Sequence, residues 1–474
     1  MTGFLILLTV AAYFGVLLFV ARKAGGKGDN DAFFRGNRQS PWWAVAFGML
    51  GASLSGVSFV SVPGMARLQD MTYMQMCIGF FFGYLIVAFV LLPLYYRLNL
   101  TSIYTYLNLR FGDKAYHTGA GFFLLSKMLG AAARLYLVCL IIQEFVFPDI
   151  PFWTIACAAV ALIWLYTSRS GIKSVVWTDA LQTLVLIAAL VFISVRLCCL
   201  NGFSVSEAAR FIAQSPHSQW LEWNDWTSRQ HFVKQFLSGI FIVIVMTGLD
   251  QDMMQKNLTC RNLKDAQKDM CTYGIMFIPL NLLFLSVGIL LLALAAKEGI
   301  PLPAKGDDIL PLFCAQGILG SAVQILFSIG ITAAAFSSAD SALTALTTSF
   351  CVDIINVEKR KRPERTRKQV HAAMAFLFIF FILLFKTANN SSVLDAVYTV
   401  ASYTYGPLLG LFSFGLFTKR TPRPAAVPLI CVAAPLLCLA LNAYAAHCLN
   451  YRFGYELLML NGALTFAGLY AASK

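Results

Sequence analysis

About thirteen apolar runs of roughly 17 to 25 residues, each long enough to cross a bilayer, follow one another along the chain with short polar stretches between them. Only 12% of the 474 residues are Asp, Glu, Lys or Arg, and mean hydropathy is +0.70, which excludes a soluble multidomain chain. Hydrocarbon offers backbone groups no water, so the runs must satisfy their own hydrogen bonds as helices. The fold class is therefore an all-α polytopic membrane protein. The first run, Thr2 to Val20, lacks the basic start and small-residue cleavage site of a signal peptide and reads as a true span.

The net charge of +13 suggests nucleic acid at first sight. However, the basic residues sit in short loops, so the lipid bilayer is the partner and no nucleic acid is expected. Placing the N-terminus outside puts Arg22, Lys23, Arg35, Arg38, the run Lys359 to Lys368, and Lys419 to Arg423 in the cytoplasm, with about 25 of the 36 Lys and Arg inside. The expected location is the cell inner (plasma) membrane, with the C-terminus cytoplasmic. The twelve cysteines are scattered through apolar runs without CxxC or His spacing and act as small hydrophobes.

One apolar run breaks its own pattern. Phe47 to Gly64 carries Gly48, Gly51, Ser53, Ser55, Gly56, Ser58, Ser61, Pro63 and Gly64. Glycine costs about 1 kcal/mol and proline about 3 kcal/mol relative to alanine in a helix interior. An interrupted helix leaves carbonyls that protein, water or an ion must satisfy; tight packing through small residues is the alternative. Spans two to six (41–199) and seven to eleven (232–418) form two groups of five. Because five is odd, the second group enters with opposite topology, giving a 5+5 inverted repeat. One extra helix precedes it (1–40), an outer loop (200–231) carries the amphipathic SVSEAARFIAQ, and two helices follow (419–474). Gly239 to Gln251 is the positional partner of the broken run, with a weaker glycine signal.

Charges at mid-membrane cost about 2.5–3.5 kcal/mol on insertion scales, so each marks a functional candidate. Arg134, among small residues in LGAAARLYLV, suits bidentate capture of a carboxylate, with a structural ion pair as the alternative. Lys127 lies two turns away on the same helix face, at a depth that suits an ion pair with Asp340. Asp179 closes GIKSVVWTD at the start of the sixth span. The ninth span, ITAAAFSSADSALTALTTSF, places Ser337 and Ser341 on one face beside Asp340. Such hydroxyl and carbonyl oxygens suit a hard monovalent cation.

These residues resemble the sodium:solute symporter family over about residues 30 to 420. The resemblance rests on FFRGNRQSPWW, GIKSVVWTDALQ (Gly171 to Gln182), GLDQDMMQKNL (Gly248 to Leu258) and AAAFSSADSAL (Ala333 to Leu343), in that order. It implies the inverted-repeat fold of the sodium-coupled leucine transporter. It also implies a sodium site at Gly51, Leu54, Ala334, Ser337 and Ser338. Some members, the bacterial sialic acid symporters among them, have a second sodium site, which matches Asp179, Ser337 and Ser341. Asp340 stands where those symporters have serine: it either adds a carboxylate to the cation site or pairs with Lys127 and excludes the ion. Leu54 to Ser58 is similar to their LSxxT pattern, so Ser53, Ser55, Ser58, Gln75 and Arg134 are the expected solute-binding residues.

The expected function is sodium-coupled import of a small organic acid or sugar acid, with sialic acid as the leading substrate. A neutral sugar or monocarboxylate on the same fold is the rival. One sodium ion belongs to this reading, and a second if the Asp179 site is used. No obligatory protein partner is implied. A sensor would need a soluble module, and none is expected after the last span. A membrane enzyme would need a nucleophile motif or metal cluster beside Asp179 and Asp340, and the sequence offers neither.

Overall fold

The computed structural model describes residues 2–25, 30–388, 393–449, 451 and 453–473. Among the described residues the regular structure is helical, with no strand beyond two isolated bridges. We number the main helices in chain order. They begin with α1 (Thr2–Gly25), α2 (Trp42–Ser53), α3 (Gly56–Gln69), α4 (Tyr73–Arg97) and α5 (Asp113–Glu144). Next come α6 (Phe152–Ser170), α7 (Ile172–Asn201), α8 (Phe232–Gly248), α9 (Gln251–Asn257) and α10 (Leu263–Glu298). The chain closes with α11 (Ser321–Ile354), α12 (Pro363–Thr387), α13 (Val393–Thr404), α14 (Gly406–Phe417), α15 (Ala426–Cys448) and α16 (Leu457–Ala471).

Seven of these, α4, α5, α7, α10, α11, α12 and α15, are long and apolar enough to cross a membrane by themselves. Three pairs qualify as bent spans, which raises the number to ten: α2 with α3 at 60°, α8 with α9 at 68°, and α13 with α14 at 46°. The first two bends fall at the broken run and at its positional partner.

Each break has a local cause. At the first, Leu54 (ψ 65°) and Ser55 (ψ 171°) leave the helical region between two glycine-rich segments, interrupting the i→i+4 ladder. At the second, Asp250 leaves the helix (ψ 119°) and turns its carboxylate back to accept from Asp252 N at 2.8 Å, capping α9. The outer amphipathic helix forms at Val205–Gln214, where Ser204 and Glu207 make a reciprocal capping box.

Helices α2, α7 and α11 pack against one another at the centre. Glycine at 51 permits this: a Cβ there would lie 2.0 Å from Thr183 Oγ1 on α7 and 3.3 Å from Ser337 Oγ on α11. Thr183 Oγ1 in turn lies 2.7 Å from Phe47 O and 2.8 Å from Asp179 O, fastening α7 to α2 just before the break. The hydroxyl-rich helix α11 is buried from Ile331 to Ser349, so its serines and threonines face protein rather than lipid.

Candidate functional site

The break in α2–α3 meets the hydroxyl-rich part of α11. Ser338 Oγ lies 3.2 Å from Ala52 O and 3.3 Å from Ala334 O. Ser337, fully buried, points its hydroxyl to Asp179 Oδ1 at 2.7 Å. Ala52 O, Ala334 O and the Ser337 and Ser338 hydroxyls thus come together at one buried place where three helices converge, beside Gly51, with Leu54 in the break itself. Hard oxygen donors without a fixed geometry are what an alkali cation takes.

Beside it lies a second oxygen cluster. Ser341 Oγ has three acceptors within reach: Ser337 O at 2.8 Å, Asp179 Oδ2 at 3.0 Å and Asp340 Oδ1 at 3.2 Å. A hydroxyl has one hydrogen, so this cluster is rich in acceptors and poor in donors. Tyr166 OH donates to Asp340 Oδ2 at 2.7 Å. The cation in contact here is the Lys256 ammonium, 2.7 Å from Asp179 Oδ2.

The expected Lys127–Asp340 pair does not form. The Lys127 ammonium lies 2.6 Å from Asp252 Oδ2 and 3.3 Å from Asp250 Oδ2, both at the start of α9. Equal depth is a weaker constraint than helix rotation: Asp340 faces α6 and α7, while α5 presents Lys127 to the second break.

Next to the first break lies a cavity lined by Ala52, Ser53, Lys127, Arg134, Thr247 and Asp250, together with a set of aromatic rings. The cavity volume is about 80 Å³. Ser53 shares a hydrogen bond with Tyr273 OH, which also accepts from Tyr84 OH at 2.7 Å. The Arg134 guanidinium carries no hydrogen bond or ion pair among the described residues, although it lines the cavity. An unpaired guanidinium in a partly desolvated site is primed for an anionic group.

Three expected solute residues lie outside the cavity lining. Gln75 holds the outer loop: its Nε2 donates to Gln230 O at 2.8 Å and Thr72 O at 3.2 Å, and its Oε1 accepts from Glu222 N at 3.0 Å. Both ends of that amide are taken by backbone. Ser58 Oγ donates to Ser53 O at 3.4 Å, and Ser55 is buried at the start of α3. Conversely, sequence reasoning gave no role to Asp250, Asp252 and Lys256. Their signal was present as three charges within seven residues of GLDQDMMQKNL.

The sodium:solute symporter family profile matches residues 33–429. The chain belongs to the sodium:solute symporter family. It is accordingly a sodium-coupled, multi-pass membrane transporter and not an enzyme. The sodium/sialic acid symporter SiaT of Proteus mirabilis is 28% identical over 468 residues, covering 94% of this chain and 90% of the relative. The sodium/sialic acid symporter NanT of Aliivibrio fischeri is 26% identical over 449 residues, covering 90% and 85%. The human sodium/iodide cotransporter is 26% identical over 437 residues, covering 86% of this chain and 64% of its own. Among solved structures, a substrate-bound, outward-open Na+-coupled sialic acid symporter superposes with a TM-score of 0.84 at 22% identity, covering 100% and 99% of the two chains. Mhp1, a nucleobase-cation symporter, superposes at 0.58 and 13% identity, covering 92% and 93%. These likenesses establish the fold.

Proposed function

We propose that this transporter imports a small carboxylated solute, sialic acid in the leading reading, on a sodium gradient by alternating access. The observation that carries the reading is the unpaired Arg134 guanidinium beside Ser53 in the central cavity. The names of the relatives from Proteus mirabilis and Aliivibrio fischeri support the choice of sialic acid. In this reading Arg134 holds the carboxylate, and Ser53, with Tyr273 behind it, meets solute hydroxyls. A sodium ion takes Gly51 and Leu54 carbonyls together with Ala334, Ser337 and Ser338. Asp179, Ser337, Asp340 and Ser341 are the donors for a second ion.

The layout proposed around this site has thirteen spans. Two five-helix repeats (41–199 and 232–418) follow the first helix, with the outer loop (200–231) between them and two helices after them. The N-terminus lies outside and the C-terminus lies in the cytoplasm. The matching breaks α2–α3 and α8–α9, each opening one repeat, support this arrangement. Sodium bound between the break and α11 favours the outward-open packing and completes the solute cavity, so each ligand raises the other's affinity. Each net positive charge moved inward gains about 2.3 kcal/mol per 100 mV.

A monocarboxylate is the second reading, favoured by the narrow cavity of about 80 Å³. Uptake into proteoliposomes with an inward sodium gradient decides, using N-acetylneuraminate, lactate and a neutral sugar. The reading predicts sodium-dependent accumulation of an acid that Arg134→Ala reduces by about 100-fold, roughly the 2.7 kcal/mol of a charge-assisted bidentate contact. Accumulation unaffected by removing sodium, or by Arg134→Ala, contradicts it.

A further inference from the structure

From the solute cavity to the second oxygen cluster, buried charges of alternating sign follow one another. Lys127 lines the cavity and spans Asp250 and Asp252. Asp252 Oδ1 faces the Lys256 ammonium at 4.0 Å, one turn along the same helix. Lys256 rests on Asp179 Oδ2 at 2.7 Å, and Asp179 takes the hydroxyls of Ser337 and Ser341. The five charged residues are each at most 6% exposed.

One link is left open. Asp252 Oδ1 is buried without a hydrogen-bond partner, although it faces an ammonium that has three hydrogens and only Asp179 in close contact. A buried, unsatisfied carboxylate oxygen is costly to keep. The lysine stem is flexible, and Asp252 and Lys256 are i,i+4 neighbours on α9, so a short swing fills the vacancy. The ammonium rests on Asp179, with Asp252 Oδ1 within reach as a second partner.

We propose that Lys256 is a tethered cation that competes with sodium at Asp179, and that its displacement couples this second ion to the solute, in addition to the coupling through the first site. A sodium ion on Asp179, Ser337 and Ser341 repels the ammonium onto Asp252 Oδ1. Asp252 then divides its charge between two lysines and loosens its hold on Lys127. Lys127, at the cavity wall, turns to the carboxylate held by Arg134. By reciprocity the solute, in drawing Lys127 off Asp252, makes room there for Lys256 and clears Asp179 for sodium. Lys256 and Asp252 are positioning residues in this scheme: neither touches the solute.

The inference rests on the carboxylate reading given above, and one set of titrations separates the two. Purified full-length protein is titrated calorimetrically with N-acetylneuraminate and with lactate, in choline chloride and in saturating sodium chloride. For the wild type, sodium tightens the bound acid by about 5- to 150-fold, the usual range of coupling between two sites. In Lys256→Met and in Asp252→Asn both ligands still bind, but the tightening falls at least about threefold below that of the wild type, to the part the first site supplies; Lys256→Arg retains it. Without solute, sodium binds Lys256→Met more tightly than wild type, because the competing ammonium is gone. That gain is one a merely structural role would not produce.

Wild-type tightening that persists in Asp252→Asn and Lys256→Met overturns the relay and leaves the transport reading intact. A wild type that binds neither acid, or binds one without regard to sodium, overturns the transport reading itself. Asp252→Asn preserves shape and leaves Lys256 on Asp179, so it decides the question if Lys256→Met does not fold.

Discussion

Two helices in this molecule are broken in the same way and put to different use. At the α8–α9 break the protein itself satisfies the freed backbone: Tyr95 OH donates to Gly248 O at 2.8 Å and Tyr104 OH to Leu249 O at 2.9 Å, while Asp250 caps the next turn. At the α2–α3 break no tyrosine among the described residues hydrogen-bonds a freed backbone carbonyl, and Tyr273 OH meets the Ser53 side chain instead. Ala52 O has the Ser338 hydroxyl at 3.2 Å and Ser53 O has the Ser58 hydroxyl at 3.4 Å. The groups that meet these carbonyls are serine hydroxyls, whose oxygens keep lone pairs free beside the gap. A broken helix closed by tyrosines is built as a scaffold; one lined by serine and carbonyl oxygens offers the donors that the proposed cation site needs.

Three substitutions sharpen or break that comparison. Gly51→Ala should be the most damaging, because its Cβ would meet Thr183 Oγ1 at 2.0 Å and displace the hydroxyl that joins α7 to α2. Overpacking of this kind costs about 1–3 kcal/mol, or roughly 5- to 150-fold in the sodium concentration that half-saturates uptake. An unchanged sodium dependence would show that the break does not contact the ion. Ser338→Ala should raise the half-saturating sodium concentration by about tenfold, the 1.4 kcal/mol of one lost oxygen ligand, with normal expression and melting. Tyr104→Phe should do the opposite. It strands Leu249 O and lowers stability by about 1–3 kcal/mol, read as a fall in melting temperature, while half-saturating sodium stays within twofold of wild type. If Tyr104→Phe moved the sodium dependence as far as Ser338→Ala, the two breaks would not differ in role.

What the sequence made legible follows from how locally each feature is encoded. The break near Leu54 announces itself through nine Gly, Ser and Pro residues in one apolar run, and the burial of Ser337, Ser338 and Ser341 through their density on one helix. The capping box at Ser204 and Glu207 is likewise written in four consecutive residues. The second break carries one glycine, Gly248, and is held open by tyrosines from distant helices, so its sharpness is a tertiary effect. Lys127 shows the limit most clearly. Spacing along α5 fixes its depth but not which neighbour it faces, and its partners Asp250 and Asp252 became visible only once α9 was seen to turn back beneath the cavity. Gln75 sits three residues into α4, at the end where the outer loop folds back, and there backbone groups claim its amide before any solute can.

The most direct test is the thermal unfolding of purified protein as a function of sodium. A ligand bound to the native state stabilises it by about 2.7 kcal/mol at a hundred times its dissociation constant. Wild-type protein should melt at rising temperature as sodium replaces choline at constant ionic strength, and Ser337→Ala/Ser338→Ala should melt at a temperature that sodium no longer moves. A double variant stabilised by sodium as fully as the wild type would mean that the cation is held somewhere other than between the first broken helix and α11.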